Sequence, residues 1–167
     1  PIFNHKKELF SYELLFRGSL KNIFPEINGS AATSRLLSTS FMGLEFNQLS
    51  HGKSVFINFN EDLILREIPL LFPHDKVVIE ILENVYPTDD VINKIKLFSE
   101  NGYTIALDDF EYSPEYEPLI DLASIIKVDF RLLTLDEIDD LSERLSGRNL
   151  KFLAEKVETL EEYKAAI

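Results

Sequence analysis

The feature that most constrains the fold of this sequence is a repeat in which a short apolar strand ends in a polar residue and a helical segment follows. Such alternation predicts a parallel sheet, either as a barrel or as a doubly wound layer. The Gly-rich phosphate loops of nucleotide-binding open sheets are missing, which favours the barrel. The polar residues at the predicted strand ends are Glu13, Asn58, Glu80, Asp108 with Asp109, Lys127 and Glu155.

These strand-end residues lie far apart in the sequence, but a barrel would bring them together. The carboxyl ends of the strands in an α/β barrel surround one shared pocket. Carboxylate and amide oxygens are the ligands that hard divalent cations prefer. The repeat therefore predicts a metal site at one end of the barrel.

The hydrophobic pattern predicts a hairpin at the start of the chain and strand–helix units after it. The hairpin joins strands 1–3 and 9–16, so the first strand should run antiparallel to the second. Capping residues place helix starts at Thr88, Thr134 and Thr159. Further strands are predicted at 54–59, 76–82, 103–110, 125–130 and 150–157, and helices at 30–49, 61–66, 88–101, 119–123, 134–145 and from 159 onward.

Composition limits the function classes. The chain of 167 residues is predicted to form one domain, residues 1–167, and it has no cysteine, which excludes disulfides, thiol catalysis and zinc–thiolate sites. A net charge of −12 disfavours nonspecific binding to nucleic acid or anionic membrane. No apolar run approaches the roughly 20 residues that span a bilayer. We expect a cytoplasmic location. We also expect the chain to be a fragment of a longer protein, because it begins at Pro1 without Met.

The acidic charge has one further consequence. If the ligand is a phosphate ester, bare carboxylates at the pocket would repel it, so divalent cations must stand between the acidic residues and the phosphate. Each polar residue also has a structural explanation when taken alone, such as a turn asparagine at Asn58 or a strand-end lysine at Lys127. Their regular placement on successive strands favours a shared pocket.

Six short motifs accompany the polar strand ends in a fixed order along the chain. A single match of this kind would be weak evidence, but an ordered set that covers nearly the whole chain is specific. The motifs are E-L-L-F-R from Glu13 to Arg17, F-I-N-F around Asn58, I-E-I-L-E with Glu80 and Glu83, D-D-F from Asp108, K-V-D-F from Lys127, and A-E-K-V-E-T from Ala154 to Thr159.

In this order the motifs resemble those of the EAL domains, bacterial phosphodiesterases of the second messenger cyclic-di-GMP. The E-L-L and A-E-K-V-E-T forms are most similar to the EAL half of proteins that join an EAL domain to an HDOD domain. The resemblance implies a TIM-type (β/α) barrel whose first strand is antiparallel, and hydrolysis of cyclic-di-GMP to linear pGpG. It also implies a homodimer that pairs near the loop after D-D-F, and an HDOD domain beyond residue 167.

The resemblance implies a role for each matched residue. One Mg²⁺ or Mn²⁺ would be held by four residues, and Asp108 with Asp109 would reach a second cation. Lys127 would orient the attacking water or balance charge, and Glu155 would act as an acid or base. Arg17 would grip a phosphate oxygen, and Glu83 would support a loop. The four ligands of the first cation would be Glu13, Asn58, Glu80 and Asp108.

The chain departs from the family pattern in three places. The glycine-rich loop after D-D-F reads E-Y-S-P-E from Glu111 to Glu115, and Leu14 replaces the alanine of E-A-L. The closing strand with its Q-G-Y motif has no counterpart, so the barrel is predicted to be open. An alternative function is therefore a degenerate EAL domain that binds cyclic-di-GMP or a protein partner without turnover. A third hypothesis, an unrelated metal-dependent barrel hydrolase, would apply if the strand-end residues did not converge.

Overall fold

The structure is a computed structural model that describes residues 1–14 and 50–167. Seven strands in this part of the chain form one sheet in sequence order. The first pair is antiparallel and every later pair is parallel. The strands are β1 (Ile2–Phe3), β2 (Leu9–Leu14), β3 (Val55–Phe59), β4 (Val77–Ile81), β5 (Thr104–Leu107), β6 (Ile125–Asp129) and β7 (Lys151–Glu155).

Helices follow β3 to β7, as the strand–helix repeat predicts. Thr134 and Thr159 each form the predicted capping box, with Glu137 and Glu162 respectively. None of the helices in the described ranges has the length and apolar character needed to span a bilayer. The helices are α1 (Glu61–Leu65), α2 (Asp89–Glu100), α3 (Glu117–Ile120), α4 (Leu135–Arg144) and α5 (Leu160–Ala165), with 3-10 helices at Ile68–Leu71 and Pro114–Tyr116.

The predicted hairpin and its antiparallel first strand are confirmed. Asn4 forms the turn, because its side-chain oxygen accepts hydrogen bonds from the backbone N–H groups of Lys6 and Glu8. The later parallel strands place all their carboxyl ends at one edge of the sheet. Arg17 and the predicted helix 30–49 lie outside the described residues.

The sheet separates two apolar layers with different neighbours. Its outer face packs against the helices and forms the larger cluster, which includes Ile57 on β3, Ile95 on α2 and Leu119 on α3. Alternate residues of the same strands point to the inner face, where a smaller cluster lies. We call this smaller cluster the apolar floor. It consists of Phe56, Val78, Ala106 and Ile125.

Strands β5 and β7 end two or more residues before their predicted carboxyl ends. β5 ends at Leu107 and β7 ends at Glu155, because Asp109 (φ 38°) and Lys156 (φ 53°) adopt left-handed backbone conformations that turn the chain out of the sheet. The helix predicted at 119–123 begins earlier, at Glu117. It follows the 3-10 helix that starts at Pro114, a residue suited to a first helical turn.

The sheet is open within the described residues. β1 and β7 are its two edges, and no described strand pairs with the outer side of either. The architecture is therefore a (β/α) half-barrel. It confirms the predicted barrel type with an antiparallel first strand, and no strand in the described ranges closes it.

Candidate active site

A layer of polar side chains covers the apolar floor at the carboxyl ends of the strands. On β3 the floor residue Phe56 is followed two positions later by Asn58, and on β4 Val78 is followed by Glu80. Two residues along a strand return the side chain to the same face, so the floor and the polar layer are stacked. The register places Asn58 directly beside Glu80.

The polar layer converges on the ammonium group of Lys127. Its Nζ donates to Asp108 Oδ1 at 2.7 Å and to Glu80 Oε1, and lies 2.8 Å from Glu155 Oε1 and 3.7 Å from Glu13 Oε2. Only 1% of the Lys127 side chain is exposed. The interpretation of Lys127 as an ordinary strand-end lysine is therefore wrong, because the side chain is buried on the inner face of β6.

Burial and charge together set the protonation of this layer. Burial raises the pKa of Glu80 from its ordinary value of 4.5 to about 9, and the neighbouring Asp108 adds to the rise. Burial acts to lower the pKa of Lys127, but Glu80, Asp108 and Glu155 outweigh it and raise that pKa. Without a metal ion, the layer thus favours a charged lysine beside a protonated Glu80.

Glu155 lies in a similar environment. Burial raises the pKa of its carboxyl, and the hydrogen bond with Lys127 only partly opposes this effect. Its side chain is 17% exposed, whereas that of Glu80 is fully buried. Glu155 is therefore a carboxyl that could exchange a proton at the mouth of the site.

Three buried oxygen atoms of the site have no hydrogen-bond partner among the described residues. They are Asn58 Oδ1, Glu80 Oε2 and Asp109 Oδ1. A buried acceptor without a partner costs about 1–3 kcal/mol, so native structures rarely leave several of them together. All three atoms are oxygens of the kind that bind Mg²⁺ or Mn²⁺. The donor set therefore fits a hard divalent cation.

A second grouping of carboxylates lies beside the first. Asp108, Asp109 and Glu155 each offer one oxygen, and these oxygens lie within 4.8 Å of one another, a spacing at which they could hold a metal ion. We call this set the carboxylate triad. The sequence predicted Asp108 and Asp109 as its ligands but assigned Glu155 only an acid–base role. Glu155 therefore lies where it could serve either purpose.

Two residues outside the predicted set also belong to this region. Asp129, at the end of β6, is 2% exposed and accepts a 2.7 Å hydrogen bond from the backbone N–H of Arg131. Lys156 donates to the other oxygen of Asp129, and its Nζ lies 3.7 Å from Asp109 Oδ2. The only sequence feature that pointed to Lys156 was its place in the A-E-K-V-E-T motif. Its contacts with Asp109 and Asp129 could not be read from that motif, because they form only where the ends of β5, β6 and β7 meet.

A cleft of about 470 Å³ opens beside the triad at the ends of β4 and β5. Asp108 and Asp109 lie at its polar wall, together with Glu83 and Glu111. Tyr112 supplies part of its aromatic wall. Glu83, predicted to support a loop, is exposed and lines this cleft, while Arg17, the predicted phosphate ligand, lies outside the described residues.

The sequence has two similar curated proteins, although no family model matches it. It is 40% identical over 169 residues to the cyclic di-GMP phosphodiesterase CdgJ of Vibrio cholerae, covering 99% of this chain and 39% of that protein. It is 39% identical over 172 residues to the uncharacterized protein YuxH of Bacillus subtilis, covering all of this chain and 42% of that protein. The chain thus spans about two fifths of the length of both relatives.

Solved structures of EAL proteins share the fold. BlrP1 of Klebsiella pneumoniae, in complex with calcium and cyclic-di-GMP, matches with a TM-score of 0.66 and 22% identity over 96% of this chain and 49% of its own. YkuI of Bacillus subtilis, also with calcium and cyclic-di-GMP, matches with a TM-score of 0.64 and 15% identity over 99% and 48%.

A third structure, a standalone EAL protein of Vibrio cholerae bound to cyclic-di-GMP, has a TM-score of 0.59 and 22% identity. This match covers 99% of the present chain and 84% of the solved one. The resemblance to EAL domains that the sequence motifs indicate is therefore confirmed, and the chain shares the fold of these domains as a half-barrel.

Proposed function

We propose that this domain hydrolyses cyclic-di-GMP to linear pGpG with the help of two divalent cations, Mg²⁺ or Mn²⁺. The observation that carries the proposal is the convergence of the polar layer at the carboxylate triad. Three ligand-type oxygens of this region are buried without a partner in residues 1–14 and 50–167. The similarity of the chain to a relative named as a cyclic di-GMP phosphodiesterase supports the same reaction.

The chain offers oxygen ligands for both cations. Glu13, Asn58, Glu80 and Asp108 would hold the first cation, and Asp108 with Asp109 would hold the second. When bound, such cations neutralise charge on the phosphodiester and lower the pKa of a water. Glu80, protonated in the metal-free domain, would lose its proton as it becomes a ligand.

Lys127 and Glu155 would complete the machinery. The buried ammonium of Lys127 contacts carboxylates on β4, directly after β5 and on β7, so it fixes the relative positions of ligands that come from separate strands. Glu155 would move a proton, because it lies at the mouth of the site and burial raises the pKa of its carboxyl above the ordinary value. Arg17 is proposed to contact the phosphate.

The test is release of pGpG from cyclic-di-GMP by the purified protein with Mn²⁺ or Mg²⁺. Glu13→Gln should lower the rate by at least about 100-fold, since the variant keeps the shape of a ligand but removes its charge. Glu100→Gln on α2 removes the same charge from an exposed side chain and should leave the rate unchanged. Absence of pGpG with both metals would overturn the proposal.

One observation favours a second candidate, a domain that binds cyclic-di-GMP without hydrolysing it. Glu111 lines the cleft beside Asp108 and Asp109, so it adds negative charge where an anionic ligand would enter. Calorimetric titration with cyclic-di-GMP in Ca²⁺ and in Mn²⁺ separates the candidates. Binding in both metals without product would identify a receptor, and product in Mn²⁺ would identify an enzyme.

We further propose that residues 1–167 act as one cytoplasmic domain of a homodimeric protein with an HDOD domain after this segment. The limited share of the relatives that the chain spans supports the presence of further sequence. Light scattering of the whole protein would measure the dimer. The sequence that follows Ile167 would decide the HDOD assignment.

A further inference from the structure

The turns after β5 and β7 share an uncommon backbone conformation. Asp109 and Lys156 both have positive φ, at 38° and 53°, although neither is glycine. Such conformations cost on the order of 1 kcal/mol or more and persist where surrounding contacts hold them. The two turns flank the end of β6, and their side chains approach each other there.

The ammonium of Lys156 links these strand ends. It donates to Asp129 Oδ2 and lies 3.7 Å from Asp109 Oδ2. Asp129 is a firm anchor, because its side chain is buried and its other oxygen accepts from the backbone of Arg131. The lysine is therefore held against Asp109 by a residue that has little freedom to move.

Asp109 is shared between this lysine and the proposed metal site. Its Oδ2 faces Lys156, whereas its Oδ1 is buried without a partner among the described residues. The same residue belongs to the carboxylate triad with Asp108 and Glu155. A divalent cation bound to the triad would thus lie close to the positive charge of Lys156.

We propose that Lys156 is a built-in counter-cation that sets the affinity of the carboxylate triad for its divalent cation. This inference rests on the proposed function, in which the triad holds the second metal. A single and a double positive charge about 5 Å apart repel enough, even in a water-like dielectric, to weaken binding roughly tenfold. When the site is empty, Lys156 neutralises Asp109.

The two lysines of the site differ in how freely their side chains can move. Lys127 is 1% exposed and contacts four carboxylates, so it cannot leave the polar layer without exposing several charges. The side chain of Lys156 is 46% exposed and could withdraw from Asp109 while it keeps its bond to Asp129. Lys156 is therefore the cation that can adjust when a metal binds.

Calorimetric titration with MnCl₂, without nucleotide, tests this role in the whole protein. Lys156→Met keeps the length of the side chain and removes its charge, so the carboxylate triad should bind Mn²⁺ about tenfold more tightly. Lys156→Arg keeps the charge and should stay within about twofold of the wild type on the same reasoning. Lys96→Met removes an equal charge from exposed α2 and should change nothing.

The possible results separate this inference from the proposed function. Equal Mn²⁺ affinity in Lys156→Met and the wild type would overturn the inference, even if pGpG is released. Tighter binding in that variant, with no pGpG from any protein, would support the inference and contradict the proposed hydrolysis. Lys156→Gln provides the same comparison should Lys156→Met fail to fold, as judged by circular dichroism.

Discussion

The inner face of the half-barrel has two layers that follow different rules. The apolar floor is buried, and its side chains contact one another without polar atoms to satisfy. Two residues further along the same strands, the polar layer is also largely buried, but some of its acceptor oxygens have no partner in the part of the chain that the structure describes. The comparison teaches that the floor stabilises the sheet, while the polar layer keeps oxygen atoms that no described residue satisfies and that the proposed cations would bind.

The largest expected effect comes from breaking the floor. Phe56 is fully buried, so Phe56→Ala should lower the free energy of unfolding by about 3–5 kcal/mol through lost burial and a cavity. Chemical denaturation measures the change. An effect below about 1 kcal/mol would show that the floor does not carry the stability assigned to it.

The second largest effect is expected when the positive charge of Lys127, at the centre of the polar layer, is removed. Lys127→Met leaves Asp108 and Glu155, which are both partly buried, without their ammonium partner, so metal-free protein should lose about 3 kcal/mol of unfolding free energy. Saturating Mn²⁺ should recover more stability in this variant than in the wild type. Equal gains from Mn²⁺ would contradict the shared role of lysine and metal.

The pH dependence of stability sharpens the contrast between the layers. In metal-free protein the pKa of Glu80 is about 9, against an ordinary value of 4.5, so between these values the folded state binds the extra proton. Stability should therefore fall as pH rises, by about 1 kcal/mol between pH 7 and pH 8. Glu80→Gln should abolish this slope in denaturation curves recorded with EDTA, whereas a slope that persists would assign it to another group.

The smallest expected effect lies on the outer side of the sheet. Thr134 caps α4 through a capping box with Glu137, and Thr134→Ala should cost about 0.5–1 kcal/mol of unfolding free energy. Because the cap contributes no ligand, Mn²⁺ affinity should stay at the wild-type value. A shift in both quantities would mean that helix ends and the polar layer are coupled.

Much of this architecture could be predicted, because strand alternation is a local property. Side chains alternate between the two faces of a strand, so once β4 is a strand, Glu80 lies on the same face as Val78. Parallel pairing of β3 with β4 then places Glu80 beside Asn58. The antiparallel hairpin followed from Asn4 and its turn. The ligand roles of these residues stay predictions.

Other features depend on contacts between distant segments. The buried position of Lys127 depends on carboxylates at the ends of four other strands, β2, β4, β5 and β7, and no local pattern encodes it. The early ends of β5 and β7 reflect left-handed turns at non-glycine residues, which propensity disfavours. The link from Lys156 to Asp109 and Asp129 likewise exists only after three strand ends meet.

The sequential order of the seven strands affects how the domain can fold during its synthesis. Each strand pairs with the strand before it, so the sheet can grow from its N-terminal end while the ribosome is still adding residues. The polar layer is completed last, because Glu155 joins Lys127 only when β7 has docked. Until then Lys127 lacks one of its acidic partners, so the charge balance of the polar layer depends on the strand that is added last.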